Sequence, residues 1–222
     1  MLIDLEGIDG SGKGTQAARL CDRLIAAGIS AVLVSFPRYD ATQFGKAVGE
    51  FLNGAFGTLD AVHPFLVSLL FAGDRFESKE FLLEKIATHD VVVLDRYVPS
   101  NVAHQASKLD GTARTELAQR ILAVEFGVFG MPRPDLVLFL DLPVDVAQRL
   151  IAKKKARSYT ELAADIQEAD AIYLGRVRSA YEELAATEPN WRRISCCDGS
   201  RLRTIDEIAD LIAKNVLPGE QS

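Results

Sequence analysis

Cysteine is scarce: Cys21, Cys196 and Cys197 are the three in 222 residues. An odd number, with two adjacent, makes poor disulfide geometry and excludes a disulfide framework. No pair has metal-ligand spacing, so reduced thiols in a cytoplasmic protein are expected. No uncharged apolar run reaches the ~18 residues of a membrane span. The opening MLIDLEG carries Asp4 and Glu6 inside its apolar stretch, which excludes a signal peptide. Positive charge is short as well: 25 Lys and Arg against 31 Asp and Glu leave a net charge of −6. Broad contact with nucleic acid or an anionic membrane is therefore not expected. Internal repeats and low-complexity linkers are lacking too, so one domain over 1–222 is expected. With 48% hydrophobic and 25% charged residues, the chain can build a real core.

What is present is an alternation. Short apolar, β-rich segments stand at the N-terminus (MLIDLEG) and at 30–36, 90–97, 135–142 and 191–197. Between and after them, helical spacing runs over 13–27, 41–54, 61–88, 112–126, 144–155, 159–186 and 204–216. The runs DVVVLDRY and DLVLFLDL are apolar without alternation, as in strands buried on both faces. Strand and helix by turns predict a parallel sheet covered by helices on both sides, an α/β fold.

The first turn of that pattern carries chemistry. GIDGSGKGT places Gly7, Gly12 and Lys13 in the G-x-x-x-x-G-K arrangement of a phosphate-binding loop. Glycines there, with Gly10 and Ser11 between, let backbone N–H groups converge on phosphate oxygens. The helix that follows points its partly positive end at the same place. Lys13 adds a mobile full charge. The usual Ser or Thr after the lysine, which would put a hydroxyl on Mg²⁺, is replaced by Gly14, and Thr15 follows. Magnesium must then lean on water, Thr15 or a carboxylate. Asp95, closing VVVLDRY, is the candidate strand-ending acid. Arg96 follows it, and a guanidinium suits a phosphoryl group in transfer.

Four motifs in order, GIDGSGKGT, FPRY (36–39), LLFAGDR (69–75) and DRYVPSNVAHQ (95–105), resemble the thymidylate kinase family over residues 1 to about 200. The resemblance implies a three-layer P-loop NTPase fold with a five-stranded parallel sheet ordered 2-3-1-4-5. It implies transfer of the γ-phosphoryl group of ATP to dTMP, with Mg²⁺. The GKGTQ ending is also similar to that of adenylate kinases, so a kinase of another monophosphate on the same scaffold is the first alternative. A non-catalytic nucleotide-sensing module is the second.

Residue by residue, the resemblance puts Asp9 near the acceptor's sugar and phosphate, with Lys13 and Arg96 as the other catalytic groups. Phe36 lines the acceptor pocket, before a Phe36–Pro37 bond that is often cis, and Tyr39 stands close to the acceptor. Phe71 stacks on the base and Arg75, one turn on, binds its carbonyl. Ser100 and Asn101 match the S-N that helps read the pyrimidine edge, with Gln105 ending the motif. His104 stands where the family usually has a tyrosine that crowds out a 2′-hydroxyl, so deoxy selectivity is left open; the readings of this histidine are packing against the substrate, a structural role and a general base.

RLIAKKKARSY (149–159) concentrates five basic residues. Its place between two helices is where nucleotide kinases carry a lid over ATP, here about 149–162. Arg149, Lys153 and Arg157 are candidates to assist transfer. Asp165 and Glu168, i and i+3 on the next helix, match a family D-x-x-E that approaches the acceptor phosphate through water or Mg²⁺. A homodimer, through helices near 61–88 and 112–126, is implied by the resemblance alone.

Overall fold

β-Branched and leucine-rich runs leave no polar stripe for water, so they fold into strands covered on both faces. A computed structural model, which describes residues 1–58, 61–152 and 171–217, shows this in β1 (Leu2–Glu6), β3 (Val91–Asp95) and β4 (Leu136–Asp141). β1 and β4 are buried at every residue, and β3 at all but its last. With β2 (Ala31–Ser35) and β5 (Trp191–Ser195) they form one five-stranded sheet. Its order is β2-β3-β1-β4-β5, every pairing is parallel, and the order is the expected one. Helices pack on both faces.

The register decides where chemistry can happen. Leu5 on β1 pairs with Asp95 on β3, and the Arg96 amide donates to the Leu5 carbonyl. The loop after β1 and the residues after β3 therefore leave the sheet side by side at its carboxyl edge, where open parallel sheets bind ligands. α1 (Lys13–Ala26) buries Lys13, Gln16, Ala17, Leu20, Cys21 and Leu24, a helical stripe against the sheet. α9 (Ile205–Val216) begins in a capping box between Thr204 and Glu207. α2 (Gln43–Leu52) and α7 (Val144–Ile151) fall inside their expected spans.

The structure corrects the sequence reading in four places. The span 61–88 is not one helix: α3 (Pro64–Glu77) and α4 (Lys79–Thr88) meet at Ser78. Ser78 is buried, its ψ relaxes to 1°, and Arg38 Nη1 donates to its hydroxyl. That long-range contact has no local sequence signal. α5 (Val98–Ala106) is an additional helix. All nine of its residues are buried, so it lacks the amphipathic period by which a helix is recognised. α6 (Gly111–Leu122) runs on into a π-helical segment, Ala123–Val128. After β5, Cys197–Asp198 and Arg201–Leu202 pair as a small antiparallel hairpin, β6–β7. α8 (Ala171–Thr187) covers the later part of the expected 159–186 helix. Most of the expected lid, with Lys153 and Arg157, lies outside the described residues, as do Asp165 and Glu168.

Candidate active site

The loop after β1 works because glycine is needed in it. A Cβ on Gly7 would stand 2.6 Å from the Leu140 carbonyl oxygen, and one on Gly10 2.7 Å from that of Ala147. Both glycines have positive φ, so the loop threads between β4 and α7 in a conformation closed to other residues. Gly12 caps α1, and among the described residues no side chain closes that helix end. The first-turn amides of Lys13, Gly14 and Thr15 are thus left to a ligand. Lys13 is buried and folds back to donate to the Gly7 and Ile8 carbonyls, at 2.7 and 2.9 Å. Burial, then the nearby Arg96 guanidinium, lowers its pKa to about 7.

Arg96 takes φ +70°, the left-handed region rare outside glycine. That turn sends its side chain off the end of β3 towards the loop, where Nη2 makes an ion pair with Asp9. Nη1 reaches Ser100 Oγ at 3.3 Å and His104 Nε2 at 3.5 Å. Asp9, Gly10, Gly12, Lys13, Gly14, Thr15, Asp95 and Arg96 together line a cavity of about 250 Å³. Every one of these residues is singled out by the sequence. A cleft walled by backbone amides, a lysine and an arginine, with two carboxylates at its edge, can hold a polyphosphate and a divalent cation.

The acceptor candidates lie on three elements. The cis Phe36–Pro37 bond follows β2. Phe36 is buried against Tyr97, ring centroids 5.9 Å apart. Asp74 on α3 accepts from the Arg38 amide and the Thr42 hydroxyl, which ties the FPRY segment to that helix. Tyr39 and Phe71 are half-buried against the α2–α3 cluster of Val48, Phe51, Leu52 and Val67. Arg75 is buried and forks onto Glu125. Asn101 Nδ2 donates to the Ser68 carbonyl and to Glu125. The Oδ1 of Asn101 and the Oε1 of Gln105 are buried acceptors with no partner among the described residues.

His104 is buried. The Tyr173 hydroxyl donates to its backbone carbonyl and stands 3.0 Å from its Nδ1. Nδ1 therefore carries the proton, and Nε2 is an acceptor facing Arg96. Burial, helped by Arg96 and Lys13, pushes its pKa down to about 3. A ring so weakly basic does not serve as a general base near neutrality. Arg149 is not brought to the cavity: it is exposed on α7 and pairs with Asp145 one turn earlier.

A family model described as thymidylate kinase matches residues 5–199. The thymidylate kinase of Mycobacterium tuberculosis is 35% identical over 84% of this chain and 86% of that protein. A probable thymidylate kinase of Thermococcus onnurineus is 32% identical over 88% of this chain and 89% of its own length. The solved thymidylate kinase of Candida albicans superposes with a TM-score of 0.73, at 25% identity, over 97% of this chain and 90% of that one. The chain belongs to the thymidylate kinase family.

Several supports of this thymidylate kinase site escape sequence reasoning. Glu6, the last residue of β1, is fully buried. It accepts from the Tyr97 and Ser100 amides and from the Ser100 and Tyr181 hydroxyls. It thereby caps α5 from another strand and holds Ser100 beneath Arg96. Glu125 does the same for Arg75 and Asn101, and Tyr173 for His104. The one signal available was an acid inside an apolar run, as at Glu6 in MLIDLEG and Glu125 in AVEFGV.

Among the described residues, no group of three or more His, Cys, Asp or Glu side chains forms a cation cage. A Cβ on Gly14 would stand 3.0 Å from Asp95 Oδ2. The Asp95 carboxylate therefore occupies the direction in which a side chain after Lys13 would project. One or two carboxylates without a cage suit Mg²⁺, which keeps several waters and shares phosphate oxygens.

Proposed function

We propose that this chain transfers the γ-phosphoryl group of ATP to dTMP, giving ADP and dTDP. The observation that carries the reading is the shared cavity, in which the Lys13 loop and Arg96 with Asp9 face one another. Lys13 and the first-turn amides of α1 bind the donor's phosphates. Arg96, held by Asp9, Ser100 and His104, neutralises charge spread over the group in flight. Asp95, with Asp9 and Thr15 at the same cleft, would hold Mg²⁺. Bound there, the ion neutralises phosphate charge and orients the donor. Phe71 stacks on the acceptor base. Arg75 takes its carbonyl and Asn101 its N–H edge, for which the open Oδ1 is suited. Phe36, Pro37, Tyr39 and Gln105 complete the acceptor side.

The chain acts as one monophosphate kinase domain with a lid at about 149–162. Arg149, Lys153 and Arg157 reach the donor from it on closure, and Asp165 and Glu168 approach the acceptor phosphate. It works as a homodimer in the cytoplasm. Leu66 and Phe76 on α3, and Val128 in the π-helical segment, are exposed apolar residues on the faces that such a dimer would use. Among the described residues, no helix is long and apolar enough to cross a membrane.

A second reading rests on His104. With this ring in place of the family tyrosine, another pyrimidine monophosphate is the preferred acceptor. A coupled ADP-release assay with dTMP, dUMP, UMP, CMP and AMP decides between the two. Fastest turnover of dTMP upholds the first, and UMP at a rate equal to dUMP shows that deoxy selectivity is gone. No turnover of any acceptor would leave a nucleotide-sensing module.

A further inference from the structure

We infer that Glu125 is a positioning residue that sets the choice of base, by fixing which atom of the Asn101 amide meets the acceptor. The inference rests on the proposed acceptor role of Asn101 and goes beyond it. Glu125 is wholly buried in the π-helical segment Ala123–Val128, a local distortion common where function demands an unusual side-chain placement. Its Oε2 accepts from Arg75 Nε at 2.9 Å, and its Oε1 accepts both from Arg75 Nη2 and from Asn101 Nδ2, the latter at 2.8 Å.

The Asn101 side chain then has no freedom of orientation. Ser68 O and the Glu125 carboxylate, 2.9 and 2.8 Å away, can only accept. The atom facing them must be the NH₂ group, and both its hydrogens are used. Oδ1 is left as a buried acceptor with no partner among the described residues. An acceptor in that place is complementary to the N3–H of a thymine or uracil ring. It repels the unprotonated N3 of cytosine. A site that meets a wrong partner with an unpaired buried group discriminates strongly. Glu125 acts through two other side chains and touches neither base nor phosphate.

A plain core ion pair between Arg75 and Glu125 would stabilise the fold without reading anything. Glu125→Gln separates the two roles. Its one amide oxygen either stays on Arg75 Nε, with the NH₂ turned towards Asn101, or takes the place of Oε1, with the NH₂ turned towards Arg75. Either way the carboxylate that clamps Arg75 and Asn101 together is lost, and the Asn101 amide, left to the Ser68 carbonyl, no longer holds Oδ1 firmly towards the acceptor. The measurement is kcat/KM for dTMP divided by kcat/KM for dCMP, taken on one preparation so that the folded fraction cancels. The ratio should fall tenfold or more, with KM for ATP unchanged. A fall of less than fivefold overturns the inference and leaves Glu125 a core ion pair. Should Glu125→Gln not fold, Glu125→Asp keeps the charge for Arg75. Its shorter reach cannot serve Arg75 and Asn101 together, so the same fivefold threshold applies. Wild-type protein with no preference for dTMP over dCMP would sink the proposed acceptor itself, a failure visible before any variant is made.

Discussion

Raising the pH should weaken ATP binding, because Lys13 is poorly charged before the nucleotide arrives. Its ammonium is buried beside Arg96 and hydrogen-bonded to two neutral carbonyls. Its pKa falls from 10.5 to about 7. A bound triphosphate brings several negative charges to the same loop and should return the pKa to its ordinary range. The sign follows from the proton balance: the bound state holds more protons than the free one, so affinity is greatest below the free pKa and declines above it. At pH 8 about one tenth of free Lys13 is protonated, so binding should take up about 0.9 proton. Between roughly pH 8 and 9.5, where the nucleotide's own phosphates no longer titrate, affinity should drop about tenfold per pH unit, or ~1.4 kcal/mol. Titration calorimetry with a non-hydrolysable ATP analogue, in buffers of different ionisation enthalpy, reads the proton count directly. Lys13→Arg, whose guanidinium does not titrate in this range, should bind with no uptake. Zero uptake by the wild type at pH 8 to 9 would show that Lys13 is already charged in the free protein, and the reasoning from burial would fail.

Arg96→Ala should lose about 10³-fold in kcat, as for arginine removal in other phosphoryl transfers, while its melting transition stays cooperative; a loss under tenfold would remove Arg96 as the charge stabiliser. Phe71→Ala should raise KM for dTMP by about tenfold or more, from the ~1–3 kcal/mol of a stacked base, and spare ATP; equal losses for both nucleotides would mean core packing. Asp4 is fully buried, and burial, reinforced by the nearby Glu6 and Asp95 charges, raises its pKa well above 3.8. A raised acid favours folding at low pH and loses that advantage as pH rises towards its folded pKa. Asp4→Asn should therefore gain stability relative to wild type between pH 5 and pH 8. Equal denaturation differences at the two pH values would place Asp4 in a polar environment instead.

The phosphate loop could be read from ten residues because its chemistry is local. Glycines at Gly7 and Gly10, where a Cβ would strike a carbonyl, and a lysine at the first helical turn are written consecutively in the chain. The strands could be read for the same reason, since VVVLD and LVLFLD carry their burial in their own side chains. α5 could not, although DRYVPSN names its residues, because a helix buried on every side has no polar face to mark its period. The break at Ser78 was hidden because it depends on Arg38, forty residues earlier. Glu6 and Glu125 were legible only as acids out of place, with nothing to say what they hold.

By itself, the sequence determined the five strands of the sheet and most of the helices between them, the polyphosphate cradle and the residues that line it, since backbone preference and hydrophobic period act over a few neighbours. Only the tertiary structure decided which charges are desolvated and which distant groups share a proton or a carboxylate. Lys13 and His104 owe their lowered basicity to burial beside Arg96, and Asn101 owes its orientation to a π-helical glutamate 24 residues away. Those properties belong to surfaces that meet only when the chain has closed around them.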